Sequence, residues 1–171
     1  SELLLRMRLA KVPIDATCYN MVIGALARAG KREAAEETLA QMQRDGVPPD
    51  TVTFSSLITP SSSEQRPSQA AEWLTAMQQA GVTPDLLCFN KVIASFGRAR
   101  LPELAEEWLG KMDLAGISPN LVSFSTVLAA YARTARPDDA MRILKRMQAA
   151  GVTPDVTGAH NSRTAPAHTH T

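Results

Sequence analysis

The run Gly151-Val152-Thr153-Pro154-Asp155 is the last of four copies of one five-residue motif in this 171-residue chain, and this motif decides the fold. The earlier copies are GVPPD at 46–50, GVTPD at 81–85 and GISPN at 116–120. Each copy follows the previous one by 35 residues without insertion or deletion, and a further step back lands on Asp15. A constant period of this size is typical of a solenoid, in which one short unit is copied and stacked.

Each 35-residue unit has the pattern of two amphipathic helices. In the first unit Tyr19, Val22, Ile23 and Leu26 fall at i, i+3, i+4 and i+7, which places them on one helix face. A second apolar stripe follows, and the glycine and proline of the repeated run end it. Asp15 precedes the first helix, where a carboxylate caps free N–H groups.

The sequence therefore predicts an all-α fold, an α-solenoid of helix-turn-helix repeats. The predicted units are a partial preceding repeat at 1–15, four repeats at 16–50, 51–85, 86–120 and 121–155, and a disordered tail at 156–171.

The second unit departs from the pattern. Pro60 and the run Ser61-Ser62-Ser63 stand where the last turns of its first helix belong. Because the proline ring clashes with the preceding turn, we expect this helix to end early and to form a weak joint.

Composition excludes several functional classes. With 18 Lys and Arg against 17 Asp and Glu, the net charge is only +1, so the overall charge of the chain does not indicate a nucleic-acid or membrane partner. No apolar run approaches the roughly 18 residues that a membrane span needs, and the acidic first residues do not resemble a targeting presequence.

Neither the cysteines nor the histidines predict a metal site or a disulfide. Cys18 and Cys88 occupy the same repeat position two repeats apart, too far for a bridge, so we expect buried thiols in a reducing compartment. His160, His168 and His170 lie in the polar tail without a ligand scaffold, so no metal and no cofactor are predicted.

A second stripe runs beside the apolar one on each first helix. In the first repeat it contains Asn20 and Arg28, and in the fourth Ser125 and Arg133. Stacked repeats would align these residues along a groove suited to a phosphodiester strand. Spacing alone favours a protein-binding helical solenoid over a nucleic-acid-binding one. No catalytic constellation is present in the sequence, so we predict no enzyme.

The repeat resembles the pentatricopeptide repeat (PPR) family, of the plain type with uniform repeats, over residues 1–155. The 35-residue unit carries this resemblance, together with the aromatic-Asn/Ser pairs such as Tyr19-Asn20, the constant Met of the second helix and the Gly-Val-x-Pro-Asp ending. The resemblance implies that the α-solenoid is a right-handed, tetratricopeptide-like superhelix. It also implies binding of single-stranded RNA at about one base per repeat.

The resemblance also assigns roles to individual positions. It implies base reading by the pairs Asn20 with Asp50, Ser55 with Asp85, Asn90 with Asn120, and Ser125 with Asp155. It implies packing between bases by Thr17, Val52, Leu87 and Val122, and phosphate contacts by Arg28, Arg98 and Arg133. The predicted target is 5′-U-G-C-G-3′, with U tolerated at the third base. Ser63 replaces the arginine in repeat two, with Arg66 as a candidate substitute.

The resemblance predicts a monomeric protein of organellar RNA metabolism, in processing, stability, editing or translation, with the chloroplast slightly favoured over the mitochondrion. We expect no small-molecule substrate and no membrane partner, and protein partners remain open. The alternative is a protein–protein interaction scaffold that uses the same surface.

Overall fold

The computed structural model describes residues 9–10, 13–63 and 66–153 of the chain. Residues 13–63 and 66–153 form eight α-helices of thirteen residues each. They are α1 (Ala16–Arg28), α2 (Arg32–Arg44), α3 (Thr51–Ser63), α4 (Pro67–Gln79), α5 (Leu86–Arg98), α6 (Pro102–Leu114), α7 (Leu121–Arg133) and α8 (Pro137–Ala149). The chain is thus an all-α helical-repeat solenoid. Most of the predicted partial repeat at 1–15 and all of the tail at 156–171 lie outside the described residues.

Short polar side chains start the first helices, and glycines end the second ones. Oδ1 of Asp15 accepts from the Cys18 N–H at 2.9 Å, and Oδ1 of Asp85 accepts from the Cys88 N–H at 2.8 Å. The glycine after each second helix has a φ of 72° to 74°, as at Gly46, where a side chain would be strained. These two signals fix the start and the end of every hairpin.

The core repeats with the same period as the sequence. One aromatic residue of each first helix and one methionine of each second helix are fully buried. These residues are Tyr19, Phe54, Phe89, Phe124, Met42, Met77, Met112 and Met147. Because the same side chains recur at the same depth, each repeat packs its neighbour with nearly the same surface.

The helices form two layers. The first helices pack directly on one another, α1 on α3, α3 on α5 and α5 on α7. Ion pairs such as Arg32–Glu72, at 2.9 Å, and Arg146–Asp113, at 2.5 Å, link the second helices of successive repeats. The close packing of the first helices makes their layer continuous. None of the helices in the described ranges combines the length and the apolar character that a membrane span requires.

The prediction that Pro60 ends its helix is wrong, because α3 continues to Ser63. Leu57 and Ile58 are almost completely buried one turn before the proline. Their burial contributes roughly 3–6 kcal/mol, against about 3 kcal/mol for a proline in a helix interior. The Ser61 hydroxyl also donates to the Leu57 carbonyl oxygen at 3.0 Å. Packing against the neighbouring first helices therefore outweighs the local cost.

We expect Ser95→Ala to stabilise the protein. The Ser95 hydroxyl is fully buried and has no hydrogen-bond partner among the described residues. Removing an unsatisfied buried hydroxyl should raise the free energy of unfolding by about 1 kcal/mol. Alanine also stands at the equivalent positions 25 and 130 of this chain. Urea unfolding followed by circular dichroism measures the change, and a destabilised variant would contradict the expectation.

Candidate functional site

An open groove runs along the layer of first helices. One segment, of about 400 Å³, is lined by Arg28, Thr51, Val52, Ser55, Ser56, Thr59, Asp85 and Leu87. A second segment, of about 340 Å³, is lined by Ala94, Arg98, Ser125, Thr126, Ala129 and Arg133. Residues predicted from the sequence to read bases, separate bases and contact phosphates thus meet in the same groove.

In the first repeat, the predicted pair Asn20 and Asp50 is in direct contact. The Asn20 amide Nδ2 donates to Asp50 Oδ1 at 3.3 Å. The Thr53 hydroxyl donates to Asn20 Oδ1 at 2.6 Å, and the Thr53 N–H donates to Asp50 Oδ1 at 2.8 Å. Asp50 is therefore both the cap of α3 and the partner of Asn20.

The third repeat has the same arrangement. Asn90 Nδ2 is 3.5 Å from Asn120 Oδ1, and the Ser123 hydroxyl donates to Asn90 Oδ1 at 2.6 Å. Asn120 Oδ1 also accepts from the Ser123 N–H at 3.1 Å. A hydroxyl three residues after the cap thus fixes the orientation of the preceding asparagine in both repeats.

This geometry determines which atoms remain for a ligand. In both clusters the asparagine oxygen accepts a hydroxyl, so the Nδ2 of Asn20 and of Asn90 presents a donor. The side-chain hydrogen bonds that the structure gives Asp50 and Asn120 all use Oδ1. Asp50 therefore keeps an acceptor, Oδ2, whereas Asn120 keeps a donor, Nδ2.

Asp50 carries its negative charge under neutral conditions. Partial burial opposes that charge, but hydrogen bonds from Thr53 and Asn20 outweigh the burial and lower the pKa of the carboxyl below its ordinary value. The carboxylate is thus an acceptor throughout the physiological pH range.

The second repeat differs at the corresponding place. Ser55 and Asp85 both line the larger groove segment, but the third helical residue is Cys88, not a hydroxyl residue. Ser55 instead accepts from the Lys91 ammonium at 2.8 Å. The fourth predicted pair is only half described, because Ser125 lines the groove and Asp155 lies outside the described residues.

Three large apolar side chains are exposed beside these pairs. Val52, Leu87 and Val122 have 58%, 56% and 54% of their surface exposed, and Thr17 is exposed at the equivalent position. These three residues recur at one repeat position, 35 residues apart, so they form a row suited to contact with a flat apolar ligand surface.

The arginines of the groove have different surroundings. Arg133 donates to the Gly97 carbonyl oxygen at 2.7 Å, which uses one of its five donors. Arg28 lies against Gly24, where an added Cβ would be 3.3 Å from its guanidinium. Arg66, the candidate substitute in repeat two, lies instead in a narrow crevice beside Ala27 and Trp73.

Both cysteines are free thiols, as expected from their spacing, although Cys18 is only partly buried. Burial, followed by the neighbouring Asp85, raises the pKa of Cys88 to about 11. Within the described ranges, no three His, Cys, Asp or Glu side chains form a metal-ligand group. The three histidines lie outside those ranges.

We expect Cys18 to be alkylated much faster than Cys88. At pH 8 a thiol with a pKa near 11 is ionised to roughly one part in a thousand, and the thiolate is the reactive form. Iodoacetamide labelling followed by peptide mass spectrometry measures the two rates. Labelling in urea is the control, in which both residues should react; equal rates in the folded protein would contradict the expectation.

Sequence reasoning missed three residues of the site, Thr53, Ser123 and Lys91. The recurrence of a hydroxyl three residues after Asp50 and Asn120 was visible as a capping pattern. Its contact with the asparagine of the previous repeat was not visible, because those residues are 33 positions apart.

Models of one repeat family match the chain over most of its length. A model described as the PPR repeat family matches residues 14–60, and one described as a pentatricopeptide repeat domain matches residues 42–99 and 107–158. A third, described as the PPR repeat, matches residues 87–117. No curated protein is significantly similar to the chain in sequence.

Solved structures are similar in fold. The crystal structure of the pentatricopeptide repeat protein PPR10 from maize has a TM-score of 0.78 at 22% identity, over 88% of this chain and 22% of that one. PPR10 in complex with an 18-nt psaJ RNA element has a TM-score of 0.66 at 29% identity, over 84% and 21%. The PPR domain of Arabidopsis thaliana protein-only RNase P 1, in complex with tRNA, has a TM-score of 0.71 at 18% identity, over 91% and 82%. The chain spans about a fifth of the PPR10 chain.

Proposed function

Because the chain belongs to the pentatricopeptide repeat family, we propose that it binds single-stranded RNA in the groove of its first helices, at about one base per repeat. The observation that carries this proposal is the repeated pairing of Asn20 with Asp50 and of Asn90 with Asn120. The same family fold accommodates an 18-nt RNA element in PPR10 and tRNA in the Arabidopsis protein, which supports RNA as the ligand.

The atoms left by each pair support a base preference. Asp50 Oδ2 can accept the N3–H of uracil while Asn20 Nδ2 donates to a pyrimidine O2. Asn120 Nδ2 can donate instead to N3 of cytosine, with Asn90 Nδ2 on O2. Ser55 with Asp85 and Ser125 with Asp155 are assigned guanine. The proposed target is 5′-U-G-C-G-3′, with U tolerated at the third base.

The remaining groove residues provide general affinity. Thr17, Val52, Leu87 and Val122 pack between successive bases, and Arg28, Arg98 and Arg133 contact phosphates. The four repeats of this chain make few phosphate contacts, so their affinity for RNA is weak. That affinity falls with rising salt, by about 0.7 in the slope of log affinity against log salt for each contact. The biological role that we propose is non-enzymatic: the protein influences stability, processing, editing or translation of an organellar transcript, with the chloroplast favoured, and it acts as a monomer.

The test is a titration of labelled RNA containing U-G-C-G against a scrambled RNA of the same composition, at 50 and 200 mM salt. Base reading requires tighter binding of U-G-C-G at both salt concentrations. Equal affinities would leave only electrostatic binding and refute base reading. Absence of binding to both RNAs would refute the RNA proposal and favour the protein-scaffold alternative.

A further inference from the structure

The groove has a gap in its row of arginines. Arg28, Arg98 and Arg133 are the last residues of α1, α5 and α7. The equivalent residue of α3 is Ser63, which has no charge. By this register, the second repeat lacks the cation that every other repeat supplies from its own first helix.

A lysine of the next repeat reaches back to the helix that lacks this arginine. Lys91 belongs to α5, but its ammonium Nζ donates to Ser55 Oγ at 2.8 Å and to Thr59 Oγ1 at 2.7 Å, both on α3. Ser55 and Thr59 line the larger groove segment, so the ammonium lies at the wall of that segment. A positive charge carried by repeat three therefore lies beside the first helix of repeat two.

The register of the repeats supports the same placement. Ser56 and Thr126 occupy the position of Lys91 in the second and fourth repeats, and each lines a groove segment. Both are short and neutral, whereas a lysine at this position extends a charge across to the neighbouring helix. The position therefore faces the groove independently of the two hydrogen bonds.

The contacts leave the charge of Lys91 available. An ammonium has three donors, and the two hydrogen bonds that the structure gives Lys91 go to uncharged hydroxyls. Hydroxyls orient the ammonium without neutralising it, and the third N–H can be donated to a ligand. A phosphate oxygen of a strand lying in this segment is an acceptor of suitable charge.

We infer that Lys91, a residue of the third repeat, is the phosphate-binding cation of the second repeat. The inference rests on the proposed binding of single-stranded RNA. It extends the phosphate-contacting set from Arg28, Arg98 and Arg133 to a fourth side chain at a different repeat position. It also assigns a role in RNA binding to the repeat whose sequence is least regular.

The experiment compares Lys91→Gln with Lys145→Gln, which removes the same charge from an exposed lysine of α8 in the other layer. One phosphate contact on a single strand contributes about 0.7 to the slope of log affinity against log salt. Lys91→Gln should therefore lower the slope by about 0.7. The gain in affinity between 200 and 50 mM salt then shrinks roughly 2.6-fold. Lys145→Gln should leave the slope unchanged.

A second variant tests whether Lys91 replaces the arginine that the second repeat lacks at position 63. Adding Ser63→Arg to Lys91→Gln places an arginine at the usual position and should restore the slope. Lys91→Met keeps the aliphatic stem and replaces Lys91→Gln if thermal unfolding shows that the glutamine variant is not folded.

The outcomes separate the two proposals. If the wild-type protein binds RNA and both Lys91 variants keep its salt slope, the inference is wrong while the proposed function stands. If the wild-type protein binds no RNA, the proposed function fails and this inference fails with it.

Discussion

Phe89→Ala is expected to lower the free energy of unfolding by about 3–5 kcal/mol, as for other fully buried aromatic residues. Phe89 has no exposed surface and packs on Trp108 with ring centroids 6.2 Å apart. It belongs to α5, which packs on both α3 and α7, so the resulting cavity lies in the middle of the array. Because domains are stable by only about 5–15 kcal/mol, a large part of that margin would be lost.

Urea denaturation followed by far-UV circular dichroism measures this effect. Leu114→Ala is the matched control, because Leu114 is 89% exposed at the end of α6 and its truncation should cost less than about 0.5 kcal/mol. Equal midpoints for the two variants would contradict the packing described for the solenoid.

Asn120→Asp is expected to change the third base of the preferred RNA from cytosine to uracil without changing the fold. The substitution replaces the free donor Nδ2 with an acceptor, which can pair with N3–H of uracil but repels N3 of cytosine. A hydrogen-bonded contact of this kind discriminates by about 1–3 kcal/mol, or roughly 5- to 150-fold. Asp15 and Asp85 already cap equivalent helices, so the start of α7 should be retained.

Competition between RNAs that differ only at the third base measures the change. Asp15→Asn is the control, because it makes the reverse exchange at the cap of α1, ahead of the first complete pair. It should leave all four base preferences unchanged. An Asn120→Asp protein that still prefers cytosine would show that this pair does not read the base.

The repeat could be predicted from the sequence because the signals that specify each hairpin are local. The caps at Asp15 and Asp85 and the apolar face containing Phe89 depend on residues within one hairpin, and the 35-residue period shows that the hairpin is repeated. Pro60 was misjudged for the opposite reason: the burial of Leu57 and Ile58 that retains α3 depends on the neighbouring repeats.

The positions of the candidate site could be proposed from the sequence, but the contacts between them could not. The family resemblance marked Asn20 and Asp50, and the structure brings them together. The hydroxyl that orients Asn20 and the ammonium that binds Ser55 come from the next repeat, at separations of 33 and 36 residues. Contacts of that range follow from how successive hairpins stack, which no single hairpin specifies.

Under the proposed function, the residues that cap the first helices also limit how the preferred RNA sequence of the protein can change. Asp50 and Asn120 each hold the first turn of a helix with one atom and offer the other to a ligand. Asp, Asn, Ser and Thr cap a helix with a side-chain oxygen, and their replacement by alanine costs about 0.5–2 kcal/mol at each site. Because the proposed base reading uses the same side chains, changes of RNA preference at these positions are limited to residues that also cap a helix. Other substitutions would destabilise the solenoid at each repeat that carries them.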